Sequence, residues 1–200
     1  MARTRNQQAY ADTRERLIEA GLSLFRSRSF DGVGISEVLT KSAAPKGSFY
    51  HYFENKEDFG LAVSDAYHAR QMEFAKNHLE HSTKPAFERL RDFFGGAMID
   101  YKSRAFADGC LMCNLSTELA DQNPKFQARL AGQWSELTGL IADQIDTQCL
   151  EQLGLPHLTD AEAADQLVNA WAGALTRMKA DGNGGSLQLF MKTYFKQGHS

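Results

Sequence analysis

Apolar residues recur along this chain at intervals of three and four, the spacing that gathers them on one face of an α-helix. Leu17, Ile18, Leu22 and Phe25, with Ala20, Gly21 and Leu24, predict a first helix from Asp12 or Thr13 to near Ser29. Phe30, Val33 and Ile35 then fold back over it through a turn at Asp31 and Gly32. Met1 to Ala11 has no apolar period and predicts a flexible arm carrying Arg3 and Arg5, a kind of arm that can reach a minor groove. A short helix with Val38 and Leu39 follows, which Ser36 can cap, then a tight turn at Ser42, Ala43 and Ala44. A second short helix opens at Pro45, where a missing N–H costs nothing. Asn55, with Glu57 and Asp58 near the positive end of the dipole, starts a long helix that runs to about His81.

The second half keeps the same period. One helix spans about Ala86 to Lys102, with Phe93 and Phe94 on it and Gly95 and Gly96 inside it, where glycines can make room for a close neighbour or a ligand. Asp108 and Gly109 start another, which puts Cys110 in the first turn and Cys113 one turn later on the same face. Pro124 opens a long helix to about Gln152, ended by Gly154 and Pro156. Thr159 or Asp160 caps a helix rich in alanine and glycine, and a loop from Asp181 to Gly185 leads to the last one. The count is about nine helices in an all-α fold. Small residues allow close approach, and so wide an apolar stripe needs a partner on more than one side. Leu167, Ala170, Trp171, Ala174, Leu187, Phe190 and Tyr194 on the last two helices are the candidate dimer interface. The alternative is that Trp171 and its neighbours bury within one subunit.

Composition narrows the class. A chain of 200 residues can bury a sizeable core in one or two domains. No apolar run approaches the roughly 18 residues that span a bilayer, and the polar start does not resemble a signal peptide, so a cytoplasmic protein with no membrane partner is expected. Three cysteines then fit reduced thiols better than a disulfide framework. The net charge of −3 hides an asymmetry: residues 1–51 hold eight Lys or Arg against five Asp or Glu, about +3, which leaves about −6 on the remainder. Only the N-terminal part suits phosphate, although ordinary solvated helix faces would give the same count.

Two short helices joined by a few residues form a helix-turn-helix, whose second helix can enter a DNA major groove. Lys46 and Lys56 supply charge, Ser48, Tyr50 and His51 supply hydrogen-bonding reach, and Gly47 removes a side chain where the backbone would approach phosphate. Phe49 and Phe53 are assigned to packing. His51 has no Cys or His at ligand spacing, so no metal is expected there. The run PKGSFYHYFENKEDF resembles the DNA-binding segment of the TetR family of one-component bacterial regulators, a resemblance that covers about the first 60 residues. It implies contacts to DNA from Ser36, Pro45, Lys46, Gly47, Ser48, Tyr50, His51 and Lys56. It also implies a homodimer whose two recognition helices read a palindromic operator one DNA turn apart. Where the family has glycine in the turn this chain has Ala43, which would add about 1 kcal/mol of strain if that residue is left-handed.

The second informative stretch is DGCLMCNLSTELADQNPKF. A thiol at a helix N-terminus has its thiolate stabilised by the dipole and free N–H groups, while Asp108 works against that. Gly109, Cys110, Leu111, Asn114, Leu115 and Glu118 resemble the C-terminal domain of the electrophile- and oxidant-sensing, N-ethylmaleimide reductase repressor-like branch of the family. The resemblance makes Cys110 the sensor and Lys179 its cationic partner. Cys113 departs from the branch pattern and adds a Cys110–Cys113 disulfide as an option, beside inert packing and a two-ligand metal site.

The resulting division is an N-terminal arm at 1–11, a three-helix DNA-binding domain at 12–54 and a regulatory and dimerisation domain at 55–200. The expected function is a homodimeric transcriptional repressor, not an enzyme and without cofactor. Its partners are a double-stranded DNA operator and a small-molecule or electrophile inducer. Two readings stand beside it: a repressor answering a noncovalent apolar ligand near Phe93 and Phe94 with inert cysteines, and a thiol oxidoreductase using Cys110 and Cys113. The latter lacks the βαβ pattern that such pairs usually accompany.

Overall fold

The computed structural model describes the backbone of residues 2–196 and the side chains of residues 10–196. Among them are nine α-helices and one 3-10 turn, with no strand. They are α1 (Ala2–Ser27), α2 (Ile35–Ser42), α3 (Lys56–Leu79), α4 (Ala86–Ser103), α5 (Leu111–Leu119), α6 (Pro124–Ala142), α7 (Thr147–Leu153), α8 (Asp160–Asp181) and α9 (Gly185–Tyr194), with the 3-10 turn at Phe49–His51. No helix among the described residues is long and apolar enough to cross a membrane.

Capping marks most of the starts. The Asn55 side chain accepts from Asp58 N–H at 2.9 Å, Asn123 accepts from Lys125 N–H at 3.0 Å, and Thr159 and Glu162 close a reciprocal pair at α8. Two glycines permit the closest approach of the long helices. A Cβ on Gly21 would come within 2.6 Å of the Phe59 ring, and one on Gly60 within 2.5 Å of Phe30 and 2.8 Å of Phe126.

Two apolar cores result, and the first ignores the expected boundary at residue 54. Leu17, Phe25, Phe30, Phe49, Phe53 and Phe59 share it with Leu111, Leu115, Phe126, Met178 and Leu187 from the second half of the chain. The second joins the C-terminal part of α3 to α4, α6, α7, α8 and α9 around Leu90, Phe94, Ile141 and Leu167.

Five expectations need correction. The arm predicted at 1–11 is helical from Ala2, the first turns of α1, because Arg, Gln and Ala propagate a helix without an apolar face. Met1 and the side chains of Arg3 and Arg5 lie outside the described residues. Ser36 does not cap α2, which begins one residue earlier: Gly34 is the N-cap and the Glu37 carboxylate accepts from its N–H at 3.0 Å. The helix expected from Pro45 is a compact turn instead, in which Ser48 N–H and Ser48 Oγ both donate to the Pro45 carbonyl, at 2.9 and 2.8 Å, before the 3-10 turn. Local side-chain bonding of this kind competes with helix formation. Cys110 is the N-cap of α5 rather than a first-turn residue. The long helix from Pro124 breaks at Asp143, and the Asp146 carboxylate, accepting from Cys149 N–H at 2.7 Å, starts α7. Ile145 and Cys149 are buried on either side of the restart, so the apolar period carries through the break.

Candidate nucleic-acid interface and regulatory cavity

The turn after α2 presents the predicted recognition surface. Ala43 is left-handed, with φ 51° and ψ 32°, and its N–H closes onto the Leu39 and Thr40 carbonyls. Phe49 is fully buried, with its ring 5.5 Å from Phe53 and 5.3 Å from Phe59, and it anchors the turn from below. Its neighbours face out: Pro45, Lys46, Gly47 and His51 are exposed, Ser48 is half-buried, and Tyr50 is 68% exposed. The space beside Gly47 is open. Ser36 sits in the exposed first turn of α2, among N–H groups with no intrahelical acceptor. Lys56 stands apart from this group, since its ammonium lies 4.4 Å over the Phe30 ring and 3.4 Å from the Asp31 carbonyl.

Tyr10 holds the far side of the turn. Its ring lies 4.4 Å from that of Tyr52, and its hydroxyl donates to the His51 carbonyl at 3.1 Å. No sequence signal marked Tyr10, which falls in the stretch without an apolar period.

Behind the head lies a cavity of about 550 Å³ enclosed by α1, α3, α4, α6 and α8. Its depth is aromatic and aliphatic: Phe93, Phe94, Trp134, Leu137, Ile141 and Trp171 line it. The Phe94 ring is 5.3 Å from Trp171 and the Phe93 ring is 5.8 Å from Phe74. Charged residues surround the mouth, where Arg70 pairs with Glu19, and Arg104 pairs with Asp100 at 2.6 Å and with Asp108 at 3.8 Å. Cavities of this size and lining suit a small organic ligand.

Cys110 lies in the wall beside Tyr67 and Tyr101. The neighbouring Cys113 side chain holds the Cys110 pKa down, to about 6, against the upward push of burial, and the Cys113 thiol also reaches the Ala172 carbonyl, at 4.0 Å. The Cys113 and Met112 N–H groups and the Tyr67 hydroxyl act in the same direction, without a closed side-chain cap. Cys113 is pushed the other way, by its proximity to Cys110 and by burial. Burial foremost, then the negative sulfur nearby, raises Tyr67 and Tyr101 and keeps both as neutral donors. Burial also raises Cys149, to about 11. All three cysteines are free thiols.

Lys179 flanks the outer side of the same thiols. It borders a space of about 50 Å³ with Gly109, Cys110, Cys113 and Thr176, and its ammonium donates to Asn114 Oδ1 at 3.2 Å. The structure therefore brings Cys110, Cys113 and Lys179 together around the small outer space, while only Cys110 of the three also lines the large cavity, with Phe93 and Phe94. The loop into Cys110 holds two more left-handed residues, Ala105 at φ 53° and Phe106 at φ 58°, with the Phe106 ring packed over Gly184 between α8 and α9.

The residues expected at a dimer interface divide. Leu167, Leu187 and Phe190 are buried within the subunit, where they hold α8 and α9 on the core, so they have no outer surface for a partner. Ala170, Trp171, Ala174 and Tyr194 are partly buried, and Trp171 faces the cavity and Phe190. The outward face instead carries Gly173, with open space beside it, and Leu189, 64% exposed.

Comparison with known proteins follows the same outline. Residues 17–63 match the family described as bacterial regulatory proteins, tetR family, and residues 86–194 match the tetracyclin repressor-like C-terminal domain. The chain is 35% identical over 184 residues to the transcriptional regulator AcuR of Cereibacter sphaeroides, covering 89% of this chain and 81% of that protein. It is 29% identical to the HTH-type transcriptional repressor NemR of Escherichia coli, over 87% of each. It is also 29% identical to the HTH-type transcriptional repressor DhaR of Mycobacterium sp., over 94% of this chain and 93% of that one. Among solved structures, a regulatory protein TetR from Rhodobacter sphaeroides superposes with a TM-score of 0.83 at 30% identity, over 90% of this chain and 95% of the other. The reduced form of E. coli NemR superposes at 0.78 with 26% identity, over 92% and 95%.

Proposed function

This chain belongs to the tetR family of bacterial regulatory proteins and is a DNA-binding transcriptional repressor; we propose that it works as a homodimer released from a palindromic operator when a small molecule fills its cavity or modifies Cys110. The observation that carries the reading is the position of Cys110. A thiol that gives up its proton near neutral pH stands in the wall of a cavity large enough for an organic inducer. Thiolate is the nucleophilic form, so an electrophile drawn into the apolar depth meets it in reactive form. A peroxide would instead take Cys110 to a sulfenic acid, which can condense with Cys113 and release water.

In this reading residues 12–54 read the operator, with Lys46, Gly47, Ser48, Tyr50 and His51 at the DNA, and Ser36 offers its helix N-terminus to a phosphate. Residues 55–200 carry the cavity and the outer face of α8 and α9, where the partner subunit docks near Gly173 and Leu189. Inducer and DNA favour different spacings of the two heads, so occupancy of one site lowers affinity at the other. The aromatic wall of Phe93, Phe94 and Trp171 supports a second route, release by an apolar ligand that never reacts with sulfur.

Binding to the DNA upstream of the protein's own gene, followed by fluorescence anisotropy, tests both routes. N-Ethylmaleimide should release the DNA from the wild type and not from Cys110→Ser, which should bind DNA normally. Equal release from both proteins would discard Cys110 as the sensor.

A further inference from the structure

The mouth of the cavity holds three guanidinium groups and three carboxylates, and they are not evenly matched. Arg70 is taken by Glu19, and Arg104 by both Asp100 and Asp108. Arg26 has no carboxylate partner among the described residues. It is half-buried in the last turn of α1, donates through Nε to the Gly109 carbonyl at 3.2 Å and lies 5.5 Å over the Tyr67 ring. Its two terminal nitrogens, the half of the fork that grips a carboxylate, have no hydrogen-bond or ion-pair partner among the described residues.

A free guanidinium fork at the edge of an apolar, partly enclosed space is a receptor for a planar anion, because each carboxylate oxygen can take one N–H in a parallel pair. We infer that the inducer is a small organic acid, its carboxylate held by the Arg26 fork and its apolar body lying toward Phe93, Phe94 and Trp171. This rests on the reading of the cavity as the inducer site and adds the chemical class of what enters it. Arg26 is also where such a ligand would act on the DNA-binding head. The residue belongs to α1, and the bond it makes to Gly109 ties that helix to the start of α5. A carboxylate on the two terminal nitrogens leaves the Nε bond to Gly109 in place, so one side chain would join the ligand, α1 and the start of α5.

The two tryptophans of the chain, Trp134 and Trp171, both line the cavity and report occupancy directly. The probes are 4-phenylbutanoate and 4-phenylbutan-1-ol, alike in apolar body and different in charge, titrated at pH 7.5 with tryptophan fluorescence as the readout. The acid is expected to bind on the order of tenfold more tightly than the alcohol. That preference should shrink to within about twofold in Arg26→Gln and survive in part in Arg26→Lys. Equal binding of the two probes by the wild type overturns the organic-acid inference and leaves the cavity reading intact, and this comparison needs no variant to fold. A full preference for the acid in Arg26→Gln, with a melting curve like the wild type's, also overturns it by placing the anion elsewhere. Fluorescence unchanged by both probes removes the inducer cavity and the inference together.

Discussion

The Glu118 carboxylate on α5 accepts from the backbone N–H of Phe30 at 2.8 Å, and its other oxygen accepts from Asp31 N–H at the same distance. One side chain from the second half of the chain thus secures the turn between α1 and α2. Charge-assisted bonds to backbone donors are among the stronger ones, and removing the acceptor leaves a part-buried N–H unpaired. Glu118→Ala is expected to cost about 2 kcal/mol, or about 4–8 °C in melting temperature, with Glu118→Gln losing roughly half of that. Thermal denaturation of the three proteins checks it.

The exposed tip and its buried anchor should respond in opposite ways. Lys46→Ala and Tyr50→Ala remove side chains that touch solvent, so their stability should stay within about 0.5 kcal/mol of the wild type while operator binding is lost. Phe49→Ala empties a fully buried site and is expected to cost about 3–5 kcal/mol. Paired melting curves and anisotropy titrations separate the two effects.

Alkylation of Cys110 should follow the pKa of its thiol. Below about pH 6 the sulfur is protonated and slow, and above it the rate with iodoacetamide should level off, well short of the ordinary thiol value of 9. Because the Cys113 thiol is the chief cause of the depression, Cys113→Ala should move the midpoint upward. A pH–rate profile read by mass spectrometry of the Cys110 peptide decides it, and an unmoved midpoint would assign the depression to the helix N-terminus and Tyr67.

Much of this fold was readable from residue spacing. The helices at Asn55, Pro124 and Thr159 announce themselves by caps, and the apolar period gave α1, α3, α4 and α8 their cores. Two of the errors share one cause, which is that an apolar period reports burial and not backbone continuity. Ile145 and Cys149 stay in register across the break between α6 and α7, and the first turns of α1 form with no apolar face at all. Leu167, Leu187 and Phe190 look the same in sequence whether they face a partner or their own core. The exposed polar cluster at Lys46, Tyr50 and His51 was legible because it surrounds one buried ring, Phe49. Arg26 was not, since its surroundings depend on a neighbour far along the chain, Gly109.

Ala43 is the left-handed residue that the turn demands, at φ 51° with a side chain that disfavours it. Ala43→Gly should relieve that strain and recover about 0.5–1 kcal/mol after the added freedom of the unfolded chain is counted. A melting temperature about 1–4 °C higher, with unchanged far-ultraviolet circular dichroism, is the expected result.

The first core also bears on how such a regulator can evolve. Phe25, Phe30 and Phe49 reach their burial only by meeting Phe59, Leu111, Leu115 and Phe126, and the Phe30 and Phe126 rings lie 5.5 Å apart. Recombination that grafted the first 54 residues onto a foreign body would strand those rings in water, whereas substitution on the exposed tip leaves the core intact. The cavity wall has the opposite freedom, since its aromatic and aliphatic side chains can be recast one at a time while the first core keeps its frame.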